Sequence, residues 1–592
     1  MQFRLWPETR PLPLGRIGLV WVLLYALIVL INIRNLIEYR FPDPDDILRL
    51  VQVRDLLAGQ GWYDFHQYRI NPPHGTVMHW SRIVDLPIAG MLLVLTPLLG
   101  QAGAELAMLL LVPMLALGAI LYLVSKMAAR FFDDEAVWLS CLACGLVPVL
   151  ALQVQPLRID HHGWQIVLAA AAMVALLAPT ARHGGWLAGL ALAAGLSISV
   201  ELLPFTTGFA AVLFLRWVFD SDQRWWLAHF QMALATGLVA LFLLTRGIGD
   251  LSPYCDAIAP AHLGFFVIVA AGTWIIARLP VPTRPVLLSC FAVAGLVAFG
   301  LFVYAAPACI SAPFGELHPL VKQNWHANVR EGLPIWNQEI SAAVPVMAQA
   351  LVSMAIIIHL WRKSKDSEHQ WWFSYLAMFC VTLATGILVW RSMAFVSLLC
   401  AVPLGWLTSR LIHILRATEQ VSRQIGIIVA APLLLMPGVP VLLAERLLDQ
   451  ADDAQPGNDA ASIRKSGCEI ERHAGLLRTL PVQTIFAPLD IGPAILLETP
   501  HSVVATGHHR ANDAIRDVIL AFTGSAHDAQ TLIHGHEATM VVVCVDLAEP
   551  AVFERKAPHG FMAALKNGDI PAWLEPVDLG GPEELKAWKV VD

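Results

Sequence analysis

The sequence predicts a polytopic α-helical membrane protein with about thirteen spans, followed by a small α/β domain outside the bilayer. Three observations carry that prediction. Hydrophobic residues make up 57% of the chain and charged residues 14%, where soluble domains carry about a quarter charged. Apolar runs of about 17–25 residues, each long enough for a helix to cross a hydrocarbon core of about 30 Å, recur from Ile17 onward. Beyond about Ala444 charged residues return and the apolar runs shorten. The net charge of −7 offers no footprint for nucleic acid.

Spans are expected near 17–34, 104–126, 135–153, 163–179, 184–200, 204–219, 226–246, 262–278, 285–306, 343–361, 372–389, 392–410 and 424–445. The first lacks a small-residue cleavage site and many spans follow it, so it reads as a span rather than a removable signal. The segment Leu86–Leu99 is apolar but short and contains two prolines, and is assigned to an interfacial or re-entrant helix. With that assignment one set of connections holds Arg4, Arg10 and Arg16, Lys126 and Arg130, Arg182, Arg216 and Arg224, Arg278 and Arg284, Arg362 to Lys365, and Arg410, Arg416 and Arg423. The positive-inside rule makes this set cytoplasmic. The first external loop (35–103), the short loop at Arg158–His162, the long external loop (307–342) and the C-terminal region then face outward. The expected division is a transmembrane domain over 1–445 and an outer domain over 446–592. Within the latter, 483–486, 502–505 and 540–545 read as strands and 511–522 as a helix.

Cys141, Cys144, Cys290, Cys380 and Cys400 fall in spans, where a small apolar role is the simplest reading. Cys255 and Cys309 fall in outer loops, and Cys468 and Cys544 in the outer domain. An oxidising outer compartment permits either pair to bridge.

Two outward acidic elements stand out. The first loop carries Asp43-Pro44-Asp45-Asp46 with Arg49, which also suits a helix N-terminus. The second is Arg158-Ile159-Asp160-His161-His162, at the end of a span. Carboxylates and imidazole on the same membrane face can share a divalent cation, Mg²⁺ or Mn²⁺. Such an ion neutralises a departing phosphate.

These motifs resemble the oligosaccharyltransferase catalytic subunits, archaeal and bacterial single-subunit enzymes of the GT-C glycosyltransferase superfamily. The Asp-Pro element, the Arg six residues after Asp43, Asp64, a Pro-x-Gly element and a Trp look like that family's first external loop. Asp160-His161-His162 looks like its second acidic motif. The resemblance runs from about Leu19 to Phe522 and is loose outside the motifs. It implies transfer of a sugar or oligosaccharide from a polyprenyl-phosphate or pyrophosphate carrier to a glycan, lipid or protein acceptor. The setting it implies is the bacterial inner membrane, with the C-terminal domain periplasmic. In this reading Asp43, Asp46 and Asp160 are catalytic, and Asp43, Asp45, Asp160, His162 and Glu339 hold the metal. Arg391 and Arg49 bind the donor phosphate. Asp490, His508, His509 and Arg510 face the acceptor. The chain departs from the family at Pro488-Leu489-Asp490-Ile491-Gly492, where relatives carry Trp-Trp-Asp-Tyr-Gly, so both sequon-gripping tryptophans are absent. The alternatives are a polytopic transporter or flippase of a lipid-linked sugar, or a non-catalytic scaffold on the same frame. The near absence of charge inside the spans speaks against transport, since transporters place functional charges at midplane. Glu201, at an outer helix end, reads as a carboxylate snorkelling to headgroup water.

Overall fold

The computed structural model describes residues 11–280, 283–311, 314, 317–441 and 466–591. Arg4, Arg10, the end of the thirteenth expected span and the expected boundary at 445/446 lie outside these residues. Every expected span coincides with helix: α1 (Leu14–Ile31), the second half of α3 (Arg82–Ala129), α4 (Asp134–Leu146), α5 (His162–Ala175), α6 (Ala181–Ile198), α7 (Leu203–Phe219), α8 (Arg224–Thr245), α9 (Pro260–Arg278), α10 (Arg284–Ala305), α11 (Ile340–Lys363), α12 (Asp366–Leu388), α13 (Met393–Ala417) and α14 (Val421–Leu435). Among the described residues nine helical stretches are long and apolar enough to cross a membrane. The four remaining expected spans are shorter or less apolar. One of them is interrupted where Pro148 follows the extended Val147 at the end of α4.

Leu86–Leu99 is helical, in the first half of α3. Gly100 breaks the helix there at φ 69°, ψ 169°, a backbone region open to glycine and costly to other residues. Leu86, Leu93, Val94, Leu98 and Leu99 are exposed, as an apolar face in contact with lipid requires. Close packing elsewhere depends on small residues. A Cβ on Gly189 of α6 would meet the Phe230 carbonyl oxygen of α8 at 2.5 Å, so only glycine lets these two helices touch backbone to backbone. Arg130, Arg216, Gln223 and Gln370 line one cavity, which gathers several of the basic connections in one place.

The C-terminal domain is built on a five-stranded sheet of order β4-β3-β5-β7-β6, formed by Thr484–Phe486 (β3), Ser502–Val503 (β4), Met540–Cys544 (β5), Leu574–Pro576 (β6) and Leu585–Val590 (β7). β4, β3 and β5 are parallel, and β7 returns antiparallel to β5. The central β5 is buried at every residue, which explains its unbroken apolar run. The two C-terminal strands carry no such run and escaped the sequence reading. Both disulfides form, Cys255–Cys309 and Cys468–Cys544.

The first external loop docks on this domain. Its helix α2 (Pro44–Leu57), and Ile70 in the connection between the paired strands His66–Gln67 (β1) and Thr76–Val77 (β2), share a hydrophobic core with the sheet. Arg69 O accepts from Val503 N at 2.8 Å and Asn71 N donates to Val503 O at 2.9 Å, extending the β4 edge. Arg69 also donates to Leu496 O and Thr499 O, both at 2.9 Å. Loop and domain therefore position one another.

Candidate active site

Asp43 takes an extended conformation and caps α2, accepting from Asp45 N at 3.0 Å with Pro44 opening the first turn. The helix-cap reading of this segment is correct, and the cap also aims the acidic turn at the second motif. Asp46 is fully buried, and its Oδ1 accepts from Ile159 N at 2.7 Å and Asp160 N at 2.9 Å. Two motifs more than a hundred residues apart are thus joined by backbone hydrogen bonds. Leu157, just before the second motif, sits at φ 68°, a strained conformation for a branched residue, and its amide is held by Leu109 O at 3.1 Å.

Arg158 lies among the carboxylates, 3.1 Å from Asp160, 3.4 Å from Asp43 and 3.8 Å from Asp46. His162 Nε2 is 3.5 Å from Asp160 Oδ2, and His161 Nε2 is 3.5 Å from Glu201 Oε2. Glu201 pairs in turn with Arg391, whose other acidic neighbour is Glu331 at 3.4 Å. Ligand atoms of Asp160, His161 and His162 all lie within 4.8 Å of one another.

Burial, then the neighbouring Asp160, raises the Asp46 carboxyl well above its ordinary range. Burial and then Asp43 push Asp45 up to about 8. Burial also acts to raise Asp160, but Arg158 and the two histidines outweigh it and bring Asp160 down to about 2. This is an excess of buried acid over base, the imbalance that a bound cation relieves. Asp46 Oδ2 and His161 Nδ1 are buried with no hydrogen-bond partner. Asp160 Oδ2 has only its ion-pair neighbours Arg158 and His162, and His161 Nε2 only Glu201, so the donor set fits a divalent ion that takes oxygen and imidazole.

A second polar group forms where the first loop meets the outer domain. His79 Nδ1 lies 2.9 Å from His508 Nε2, and His509 Nε2 lies 2.6 Å from Asp256. Asp256 also receives a two-pronged contact from Arg510, at 2.8 and 2.7 Å. Arg510 stacks on Tyr254 at 3.9 Å, and the Cys255–Cys309 bridge anchors the segment between them. A cavity of about 490 Å³ opens beside this group, lined by Tyr254, Asp256, Phe314, His509, Arg510 and Asn512 among others. His326 of the long external loop stands 5.1 Å ring to ring from Phe314, which in turn stands 5.1 Å from His509. Burial, then Arg391 and His509, lowers the His326 imidazole.

Asp43, Asp46, Asp160 and His162 gather around Arg158, Asp45 follows in the same acidic turn, and Arg391 joins them through Glu201, while His508, His509 and Arg510 form their own cluster. Three expected residues go elsewhere. Arg49 is fully buried, bonded to Asp85 at 2.8 Å and stacked on Trp80 at 4.7 Å, a core ion pair rather than a phosphate ligand. Glu339 is 62% exposed and pairs with the exposed Arg330, while Glu331 of the same loop reaches Arg391. Asp490 is exposed, and its amide and that of Leu489 are held by Glu549.

Sequence reasoning missed Glu201 as a site residue, and also Asp256 and His79. For Glu201 a signal existed: Glu201 and Arg391 are the two charges beside spans, and opposite charges in apolar surroundings pair.

No family model matches the sequence, and no curated protein matches it. Solved structures do. The archaeal oligosaccharyltransferase AglB from Archaeoglobus fulgidus, in complex with an inhibitory peptide and a dolichol-phosphate, superposes with a TM-score of 0.67 at 12% identity, covering 95% of this chain and 72% of that one. An Archaeoglobus fulgidus oligosaccharyltransferase tethered to an acceptor peptide containing the NVT sequon gives 0.63 at 12% identity over 97% and 74%. Its complex with Zn and sulfate gives 0.59 at 12% identity over 97% and 73%. The chain thus has the fold of an archaeal oligosaccharyltransferase along nearly its whole length.

Proposed function

We propose that this chain is a membrane glycosyltransferase that moves a sugar or oligosaccharide from a polyprenyl-phosphate or pyrophosphate carrier to an acceptor. One observation carries the reading: Asp46 clasps the backbone of Ile159 and Asp160, converging two acidic motifs on an under-satisfied pocket reached by Arg391. A transporter has no need of this arrangement at one end of its spans. Similar archaeal enzymes have been solved with a dolichol-phosphate and with an acceptor peptide, which supports a lipid-linked donor.

Asp43, Asp45, Asp46, Asp160 and His162 would hold a divalent metal, Mg²⁺ or Mn²⁺, with His161 and Glu201 beside them. When bound, the ion would neutralise charge on the departing phosphate. The chain's own residues do the rest. Arg391 supplies a planar cation for the donor phosphate, sharing its charge between Glu201 and Glu331 until the donor arrives. An acceptor heteroatom attacks the anomeric carbon, the bond to the phosphate oxygen breaks, and the lipid phosphate leaves with the electron pair. One of the acidic-turn carboxylates takes the acceptor's proton. His509 and Arg510 line the 490 Å³ cavity, and with His508 would face the acceptor. With no tryptophan pair beside Asp490, the acceptor is not assigned to a sequon peptide.

The distribution of basic connections, and two disulfides suited to an oxidising compartment, support a site and C-terminal domain on the outer face of a bacterial inner membrane. The test is glycolipid and glycoprotein profiling of a deletion strain complemented with wild type or with Asp160→Ala. A glycan restored by wild type alone supports the reading, and equal restoration by both refutes it.

A further inference from the structure

The histidine group at the loop–domain junction is chemically unlike the acidic pocket. We propose that His79, His508 and His509 form a separate Zn²⁺ site that clamps the first external loop to the C-terminal domain.

The geometry is close to that of a bound metal. Ligand atoms of the three rings lie within 4.8 Å of one another. Two nitrogens on a tetrahedral zinc with bonds of about 2.0–2.1 Å stand about 3.3 Å apart, and His79 Nδ1 and His508 Nε2 are 2.9 Å apart. A few tenths of an ångström of spreading turns that hydrogen bond into a shared metal edge. The group is also under-satisfied, because His508 Nδ1 is buried with no partner. His509 Nε2 is committed to Asp256 at 2.6 Å, which leaves its Nδ1 as the free donor. A carboxylate on the far nitrogen of a ligating histidine is the arrangement that orients the ring and raises its basicity. An all-imidazole set selects zinc, copper or nickel over magnesium. Both cations beside the group are paired: Arg510 makes two bonds to Asp256, and Arg246, which donates to His79 O at 2.8 Å, pairs with Asp250 at 2.8 Å.

The clamp joins positions 429 residues apart in sequence. A tetrahedral ion on three rings keeps a fourth position for water or ligand, and His509 borders the 490 Å³ cavity. The same histidines border the acceptor side in the proposed function, but metal content and the Co²⁺ spectrum are read without sugar transfer.

The experiment uses the full chain purified in detergent, stripped with chelator and titrated with Zn²⁺ and then Co²⁺. Metal content, melting temperature and the visible spectrum are read for wild type, His508→Ala, His79→Gln and Asp160→Ala. The expected result is a tetrahedral Co²⁺ spectrum and a Zn²⁺-dependent rise in melting temperature in wild type and Asp160→Ala. His508→Ala and His79→Gln should lose both, together with one equivalent of Zn²⁺. Since His508→Ala can disturb the domain core, His79→Gln, on the loop side, serves as the second variant. Zn²⁺ content unchanged in both histidine variants overturns the proposal, as does loss of the Co²⁺ spectrum in Asp160→Ala alone.

Discussion

Replacing Asp46 separates position from charge at the acidic site. The buried Oδ1 accepts two backbone amides, and Oδ2 has no hydrogen-bond partner. Asp46→Asn keeps a carbonyl oxygen for both amides. It weakens two charge-assisted bonds by about 1 kcal/mol each, and relief of repulsion from Asp160 offsets part of that. The variant should therefore fold, with its melting temperature near wild type. Asp46→Ala strands two buried N–H groups at about 1–3 kcal/mol each, roughly 2–6 kcal/mol in all, and should lower the melting temperature visibly. Both substitutions remove a buried carboxylate from the pocket. Loss of one preorganised charged group reduces catalysis by about 10²–10³-fold, and Mn²⁺ affinity should fall by at least about tenfold. Mn²⁺ binding is measured by electron paramagnetic resonance on chelator-washed protein, and transfer by glycan profiling of complemented cells. A well-folded Asp46→Asn protein within about threefold of wild type in both assays would show that Asp46 only braces the backbone.

Three further outcomes are expected. Burial, then Asp160, holds the Asp46 proton to higher pH than an ordinary carboxyl, and metal binding must expel it; Mn²⁺ affinity should therefore climb as pH rises above the ordinary carboxylate range, with a shallower slope in Asp46→Asn. Asp85→Ala leaves the fully buried Arg49 and Arg82 without their carboxylate, at a cost of about 3–5 kcal/mol, and a melting temperature equal to wild type would contradict the core ion-pair assignment. Arg391→Lys keeps the charge but loses the planar fork, so transfer should drop by about tenfold or more while the protein still reaches the membrane; full activity would remove Arg391 from the donor site.

The sequence by itself determined what depends on local chemistry and length. Apolar runs long enough for the bilayer became helices, because backbone groups in hydrocarbon must bond within their own segment. The Asp43-Pro44 cap starts its helix, because the requirement for an acceptor at a helix N-terminus is met within three residues. The strand run Met540–Cys544 was legible because it is buried on both faces, whereas Leu585–Val590 alternates and blends with loop. Side-chain partners were decided only by the tertiary structure. Arg49 has the spacing of a phosphate ligand, yet the turn of α2 points it at Asp85. Glu331 and Glu339 are eight positions apart in one loop, and only the path of that loop gives Glu331 to Arg391 and Glu339 to Arg330. Glu201 looked like a headgroup anchor because its partners, His161 and Arg391, come from other helices. Charge interactions act through space and depend on the distance between side chains in the fold, so separation along the chain carries no record of them.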